Sequence, residues 1–450
     1  MPLSMMMLRE RFTQHPLLPN AVVEQQNRWR ERWGMRPKSP EPGEDWRYYF
    51  DPTEIQGGTP NDPRRRLRFA LLNGQRDSKY FLTGSKGAGK STTAYALWDD
   101  PEIARRYTLL GFTIHDYLNL VDTDASQIIA VMIAHLVEVL RDAQEEATLG
   151  DLAARETIRD LNALLKELRP GAKLEQVSVS VFGWFTASFK ESASARAKFR
   201  SYVDGQFDEI MALFDELNGL LEDRSGKKTL FIVDDLDKVL SDDVRRKVFQ
   251  VQLPMLLRPR CAALYSYPIE VDHDPQLESL KRGQTNRYVL ANVKLAESPA
   301  GAMIEEGREL MTQFVLHRLD GMNREDVITL TAAEWDRVLH YTAGNFRELS
   351  RLLCHAFEIA AMDGQPRADR RCFELALERV RADYNIFVQQ FRGFLNQVRD
   401  NRSGSPVELR PELLSKLLAA FAVVEYPNEP GWLGLNPVVA DLLEGKPSKL

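Results

Sequence analysis

The sequence predicts an α/β protein, an αβα sandwich with a parallel sheet between layers of helices, followed by more helices and a winged-helix-like C-terminal domain. Three observations predict it. "KYFLTGSKGAGKSTTAYAL" (79–97) reads as a short apolar strand, a glycine-rich loop and a run of good helix formers without Gly or Pro. "KKTLFIVDDLDKV" (227–239) carries a continuous apolar strand, Leu230 to Val233, whose lack of alternation fits the centre of a parallel sheet. Near the C-terminus "PELLSKLLAAF", "AVVEY", "PNEPG" and "WLGLNPVV" follow as helix, strand, turn and strand, the order of a helix and wing.

The loop fits the pattern G-x-x-x-x-G-K-[ST] in full, with Gly84, Gly89, Lys90 and Ser91 at the fixed positions. Between the glycines lie Ser85, Lys86, Gly87 and Ala88, and Thr92 follows in the helix. In such a loop backbone N–H groups turn inward around phosphate oxygens, and the helix start adds its partial positive charge. Lys90 is expected to reach the β- and γ-phosphates and Ser91 to ligate Mg2+. An ordinary glycine-rich turn is the alternative, and the strand before and helix after the loop argue against it. The strand Leu230 to Val233 ends in Asp234 and Asp235, at the carboxyl edge where such sheets place ligands. Asp234 is expected to hold Mg2+ through water or through Ser91, and Asp235 to orient or deprotonate an attacking water. A lone "DD" after an apolar run reads equally well as a solvated turn. After a complete phosphate loop in chain order it reads as the companion motif.

With 450 residues the chain is long enough for two or three domains, and 44% hydrophobic with 28% charged residues is a globular composition. A net charge of −6 argues against a protein that coats nucleic acid and leaves only local patches for DNA. Cys261, Cys354 and Cys372 lie far apart without zinc spacing and read as reduced core residues of a cytosolic protein. "MPLSMMMLRERF" is too short in apolar residues for a secretory segment, and no stretch reaches the length of a membrane span, so the expected location is the cytoplasm.

Along the chain, residues 1–60 read as an irregular arm rich in Pro, Trp and Arg, whose Trp46 to Phe50 pack on the core or cover a nucleotide base. Residues 107–120 supply a second strand, and 125–168 read as two helices, with Ile128, Ile129, Met132, Ile133, Leu136, Val137 and Leu140 at helical spacing. "VSVSVF" (177–182) alternates strictly and "GWFTASF" follows, a possible hairpin among helices. One long amphipathic helix is expected from about Ala193 to Asp223, and helices again from Arg367 to Asp400 before the polar break "NRSGSP".

The phosphate loop, "FIVDDLDK" and "YTAGNFRELSRLL" (341–353) together resemble the AAA+ and STAND class of P-loop ATPases, near its origin-recognition-like branch. The resemblance implies a P-loop NTPase core over 61–295 with an insertion at about 125–223, a helical lid over 296–365 and a C-terminal domain over 366–450. Gly344 and Arg347 match the sensor-2 region, where an arginine opening a lid helix touches the γ-phosphate. Ser266, at the end of "CAALYSYPIEV", stands where the class carries a polar sensor. Arg282 and Arg287 stand where it carries an arginine finger acting on a neighbouring subunit's nucleotide. The class ends its second motif in Asp-Glu, and the shorter Asp234-Asp235 favours a slow switch over a fast motor.

The function implied is an ATP-hydrolysing switch that self-associates and controls a partner effector; similar bacterial ATPases are often encoded beside effector genes in phage-defence loci. A DNA-acting ATPase, such as an initiator-like loader or transposition regulator, is the alternative. A small-molecule kinase is disfavoured by the lid arginine and by the lack of an acceptor-pocket motif. Residues 361–450 carry twelve Lys+Arg and twelve Asp+Glu, so protein docking or autoinhibition suits the C-terminal domain at least as well as DNA contact.

Overall fold

The structure, a computed structural model, describes residues 4–13, 62–98, 100–142, 193–239, 241–273, 286–298, 301–401, 411–426 and 432–450. Five strands, β1 (Lys79–Gly84), β2 (Tyr107–Thr113), β3 (Lys228–Asp234), β4 (Ala262–Ser266) and β5 (Asn286–Leu290), form one all-parallel sheet in the order β2-β3-β4-β1-β5. Successive side chains of a strand face opposite ways, and both faces are covered. Tyr80, Leu82, Leu230, Ile232 and Leu264 pack beneath α2 (Pro63–Asn73) and α3 (Lys90–Ala96). Phe81, Phe112, Phe231, Val233 and Tyr265 pack beneath α4 (Ala125–Asp142), α5 (Ala193–Gly205) and α6 (Phe207–Ser225). Burial on both faces is why β3 shows no alternation.

Helix α4 is buried on nearly its whole circumference, as its apolar run requires. Its start is capped by Asp124, whose carboxylate accepts from Gln127 N at 3.0 Å and pairs with Arg200 and Lys247. The segment expected as one helix from Ala193 to Asp223 is two, broken at Gln206 beside Gly205, the weakest helix former there. The second strand is shorter than expected: it ends at Thr113, and Ile114–Tyr117 turn as a short helix.

After the sheet come the longer helices α7 (Glu305–Leu319), α8 (Ala332–Tyr341), α9 (Phe346–Met362), α10 (Arg370–Asp400, kinked at Phe391), α11 (Pro411–Ala419) and α12 (Pro437–Leu443). The strands expected to form a wing are the antiparallel pair β6 (Val423–Tyr426) and β7 (Trp432–Leu435). Lid and C-terminal elements, separate in the sequence reading, share one apolar core. That core also includes α1 (Met5–Thr13), inside the arm expected to be irregular. Met5, Leu8 and Phe12 fall on one helical face and are buried, with the Phe12 ring 5.7 Å from that of Phe357. Arg11 donates to Leu319 O and Arg318 to Arg11 O, both at 2.8 Å. The three cysteines are free and buried, and no described helix is long and apolar enough to cross a membrane. The rest of the arm with Trp46 to Phe50, the expected second helix up to residue 168 and the expected hairpin lie outside the described residues.

Phe12→Ala is expected to lower stability by about 3–5 kcal/mol, the usual cost of emptying a buried phenylalanine site. Denaturant unfolding checks it, and a loss below about 1 kcal/mol would contradict the docking of α1 on the lid.

Candidate nucleotide site

The carboxyl ends of β1, β3 and β4 bring the phosphate loop, the paired aspartates and Ser266 to one edge of the sheet. The loop takes its shape from Gly84, Gly87 and Gly89, with φ of 150°, 88° and 90°. Lys90 opens α3 and is buried. Its Nζ donates to Gly84 O at 2.8 Å and to Ser85 O at 3.1 Å, and pairs with Asp237 at 3.0 Å. The loop thus closes on its own ammonium group, which Asp237 neutralises. Ser91 and Thr92 are half-buried in the first turn of α3.

Asp234 is 2% exposed, and neither carboxylate oxygen completes a hydrogen bond of normal geometry. Burial, then the charges of Asp235 and Asp237, push its pKa above the ordinary value, although the Ser91 hydroxyl and the Asp235 N–H lie close enough to oppose the shift. Oxygens of Asp234, Asp235 and Asp237 come within 4.8 Å of one another. A buried carboxylate without full hydrogen bonding, beside a hydroxyl and two further carboxylates, fits Mg2+, which takes one or two carboxylates and shares the rest with phosphate and water.

Asp235 adopts the left-handed conformation, with φ of 69°. Its Oδ2 lies 2.5 Å from His115 Nδ1 and its Oδ1 2.6 Å from Lys238 Nζ. Burial pushes the Asp235 pKa up, but His115 and Lys238 outweigh it and hold the carboxyl below its ordinary value. The Ser266 hydroxyl accepts from Leu236 N at 3.1 Å, so it braces the turn directly after Asp235. Arg287 lies within β5 opposite Phe81, three residues before the strand's end, and is not part of this cluster. Arg282 lies outside the described residues.

The segment expected to form a lid meets the loop through the start of α9. Gly344 has φ of 68° and lies so close to Val293 that a Cβ would stand 1.8 Å from the Val293 carbonyl oxygen. Fully buried Asn345 caps α9 by accepting from Arg347 N at 3.0 Å and Glu348 N at 3.2 Å. It also donates to Lys86 O at 2.8 Å and to Asn292 Oδ1 at 2.9 Å. Arg347 is exposed, and its Cβ would meet a Cβ on Gly87 at 2.4 Å, which puts it at the loop. From the other side Arg64 of α2 donates to Ala88 O at 3.3 Å.

Several of these residues were not foreseen, Asp237 and Lys238 among them. His115 and Asp235 are 120 residues apart, and Asn345 and Lys86 are 259 apart. The signals available for His115 and Asn292 were single polar residues at the ends of apolar strands, in "GFTIHDY" and "YVLANVKL". Asn345 stood in the lid motif as a good N-cap type, and Arg64 stood in the arginine run after Pro63.

No family model matches the chain, and no curated protein sequence matches it. Several solved structures align over most of it. Cdc6p from Pyrobaculum aerophilum is 13% identical, with 89% of this chain and 98% of that one covered and a TM-score of 0.35. The Orc1 protein of Aeropyrum pernix, solved in complex with DNA, is 12% identical over 89% and 96%, with a TM-score of 0.36. The RuvB Holliday junction branch migration motor of Thermotoga maritima is 11% identical over 88% and 98%, with a TM-score of 0.38. At these scores the functional reading rests on the sheet order and on the geometry of the site.

Gly344→Ala is expected to cost at least about 1 kcal/mol more than Gly364→Ala, because both positions carry a strained positive φ but only Gly344 has a backbone oxygen against it. Equal losses in denaturant unfolding would contradict the close seating of the lid turn on Val293.

Proposed function

We propose that the chain is an ATP-binding, slowly hydrolysing molecular switch of the AAA+/STAND type that acts on a partner effector protein and self-associates. The observation that carries this reading is the contact of the α9 start with the phosphate loop, which brings Asn345 and Arg347 against that loop. A lid on a phosphate loop makes nucleotide state a matter of lid position.

In this reading Lys90 leaves Asp237 for the β- and γ-phosphates, and the N–H groups of residues 85–90 surround the phosphate oxygens. Ser91 and Asp234 would hold Mg2+, which when bound neutralises charge developing on the phosphates. Asp235 serves as the group that orients or deprotonates water, and its bonds to His115 and Lys238 have to loosen first. A short carboxylate held by two partners supports slow turnover. Arg347 supplies a contact for the γ-phosphate that ADP lacks, and only such a difference shifts a conformational equilibrium.

The C-terminal module favours a docking role over DNA contact. Helix α11, directly before the wing, packs on the core turn Ile269–His273, and the Ser415 hydroxyl donates to Glu270 O at 3.4 Å. The wing is tied to the lid through Tyr426, which donates to Ala343 O at 2.6 Å, and through Trp432, which donates to Ala296 O at 3.0 Å. The helix that would enter a DNA groove therefore already has a protein partner within the chain. Strong stimulation of turnover by duplex DNA would favour the DNA-acting alternative.

Lys90→Ala is expected to abolish nucleotide binding and turnover in calorimetry and a phosphate-release assay; unchanged values for both would contradict the site. Asp235→Asn is expected to keep Mg·ATP bound and slow hydrolysis by about 10²-fold or more, and a parent rate would remove Asp235 from that role. Arg347→Ala is expected to keep ADP binding and to weaken the preference for ATP over ADP by about one to two powers of ten, the worth of one charge-assisted hydrogen bond. A variant with the parent's ATP preference would rule that role out.

A further inference from the structure

The side-chain amide of Asn345 has two N–H donors and an oxygen with two lone pairs, and all four positions are used. Nδ2 donates to Lys86 O and Asn292 Oδ1, while Oδ1 accepts from Arg347 N and Glu348 N. The partners leave one orientation open to the amide, because turning it over would set donors against donors. Asn345 itself is fully buried, so its amide is shielded from water.

Three successive carbonyls of the loop have fixed donors: Gly84 and Ser85 receive Lys90, and Lys86 receives Asn345. The Lys90 bonds come from inside the loop and are given up if Lys90 moves to a phosphate, although Ser85 O still accepts from Ala88 N at 3.1 Å. The Asn345 bond comes from the lid and remains. The peptide joining Lys86 to Gly87 is planar and trans, so its carbonyl and its N–H point in opposite directions. Holding the Lys86 carbonyl outward toward the lid directs the Gly87 N–H inward, and inward N–H groups are what a phosphate loop offers its ligand.

We propose that Asn345 is a positioning residue for phosphate binding, which aims the Gly87 N–H by holding the Lys86 carbonyl and so makes loop geometry and lid closure a single event. This role rests on the reading of the loop as a nucleotide site. It is separate from the capping of α9, since the cap uses Oδ1 and the loop contact uses Nδ2. Lid closure and phosphate affinity then strengthen each other by the same factor, as linkage requires. Tyr426, hydrogen-bonded to Ala343 two residues before Asn345, extends the same unit to the wing.

Asn345→Ser separates the two uses, because serine caps helices about as well as asparagine and has no amide to reach Lys86 O. Titration calorimetry of the full chain with ADP and with inorganic pyrophosphate, in parent and variant, reads the effect together with the unfolding temperature. The expected result is a variant that still unfolds cooperatively, at a somewhat lower temperature because Asn292 Oδ1 loses its donor, with Kd for both ligands raised about two- to tenfold, the range of one lost hydrogen bond. Asn345→Asp, which keeps the cap and sets a carboxylate against the Lys86 carbonyl, is expected to lose more, and it serves as the test if Asn345→Ser unfolds early. Parent-like affinities in either folded variant would overturn the positioning role while leaving the nucleotide reading intact. A parent protein that bound neither ADP nor pyrophosphate would overturn the nucleotide reading and this role with it.

Discussion

The contact between the lid turn at Gly344 and Asn345 and the phosphate loop at Lys86 and Gly87 is the constraint on which the rest of the site depends. A side chain on Gly344 would strike the Val293 backbone, and one on Gly87 would strike Asn345 and Arg347. Two glycines therefore let two backbones approach to within one amide's reach, and Asn345 fills the gap with four hydrogen bonds. If the turn were further away, Arg347 would not reach the loop. If it were fixed without a hydrogen bond to the loop, lid and loop would not report on each other.

The acidic side of the site is built on the opposite principle, with charges held in readiness. Asp237 occupies Lys90, while His115 and Lys238 occupy Asp235. Asp234 is left buried among carboxylates with its hydrogen-bonding capacity unfilled, a costly arrangement for a charged group. A cation and a phosphate would relieve both conditions at once. Around this centre α1 stiffens the lid from outside, and α11 and the wing brace core and lid from the C-terminal side. These elements and the helices of 305–362 thus pack as one large apolar unit.

Much of the sheet and the phosphate loop was legible in the sequence, because both are written in contiguous residues: an unalternating strand, a spaced glycine pattern and a helix start. Asp234 and Asp235 were legible for the same reason. The bond of His115 to Asp235 and the bonds of Asn345 to Lys86 and Asn292 were not, since they join residues far apart in the chain through side chains whose types have many other uses. Helix α1 escaped notice because its three buried residues span barely two turns, too short for periodicity to stand out. The break at Gln206 was missed because the apolar spacing continues through it while the backbone does not.

Hydrogen–deuterium exchange over residues 341–349 and 84–90 tests the central claim most directly, measured without nucleotide, with ADP and with a non-hydrolysable ATP analogue. If the lid turn and the phosphate loop form one nucleotide-governed unit, both segments gain protection together, and more with the ATP analogue than with ADP. Protection of the loop by nucleotide with no change in the lid turn would contradict it.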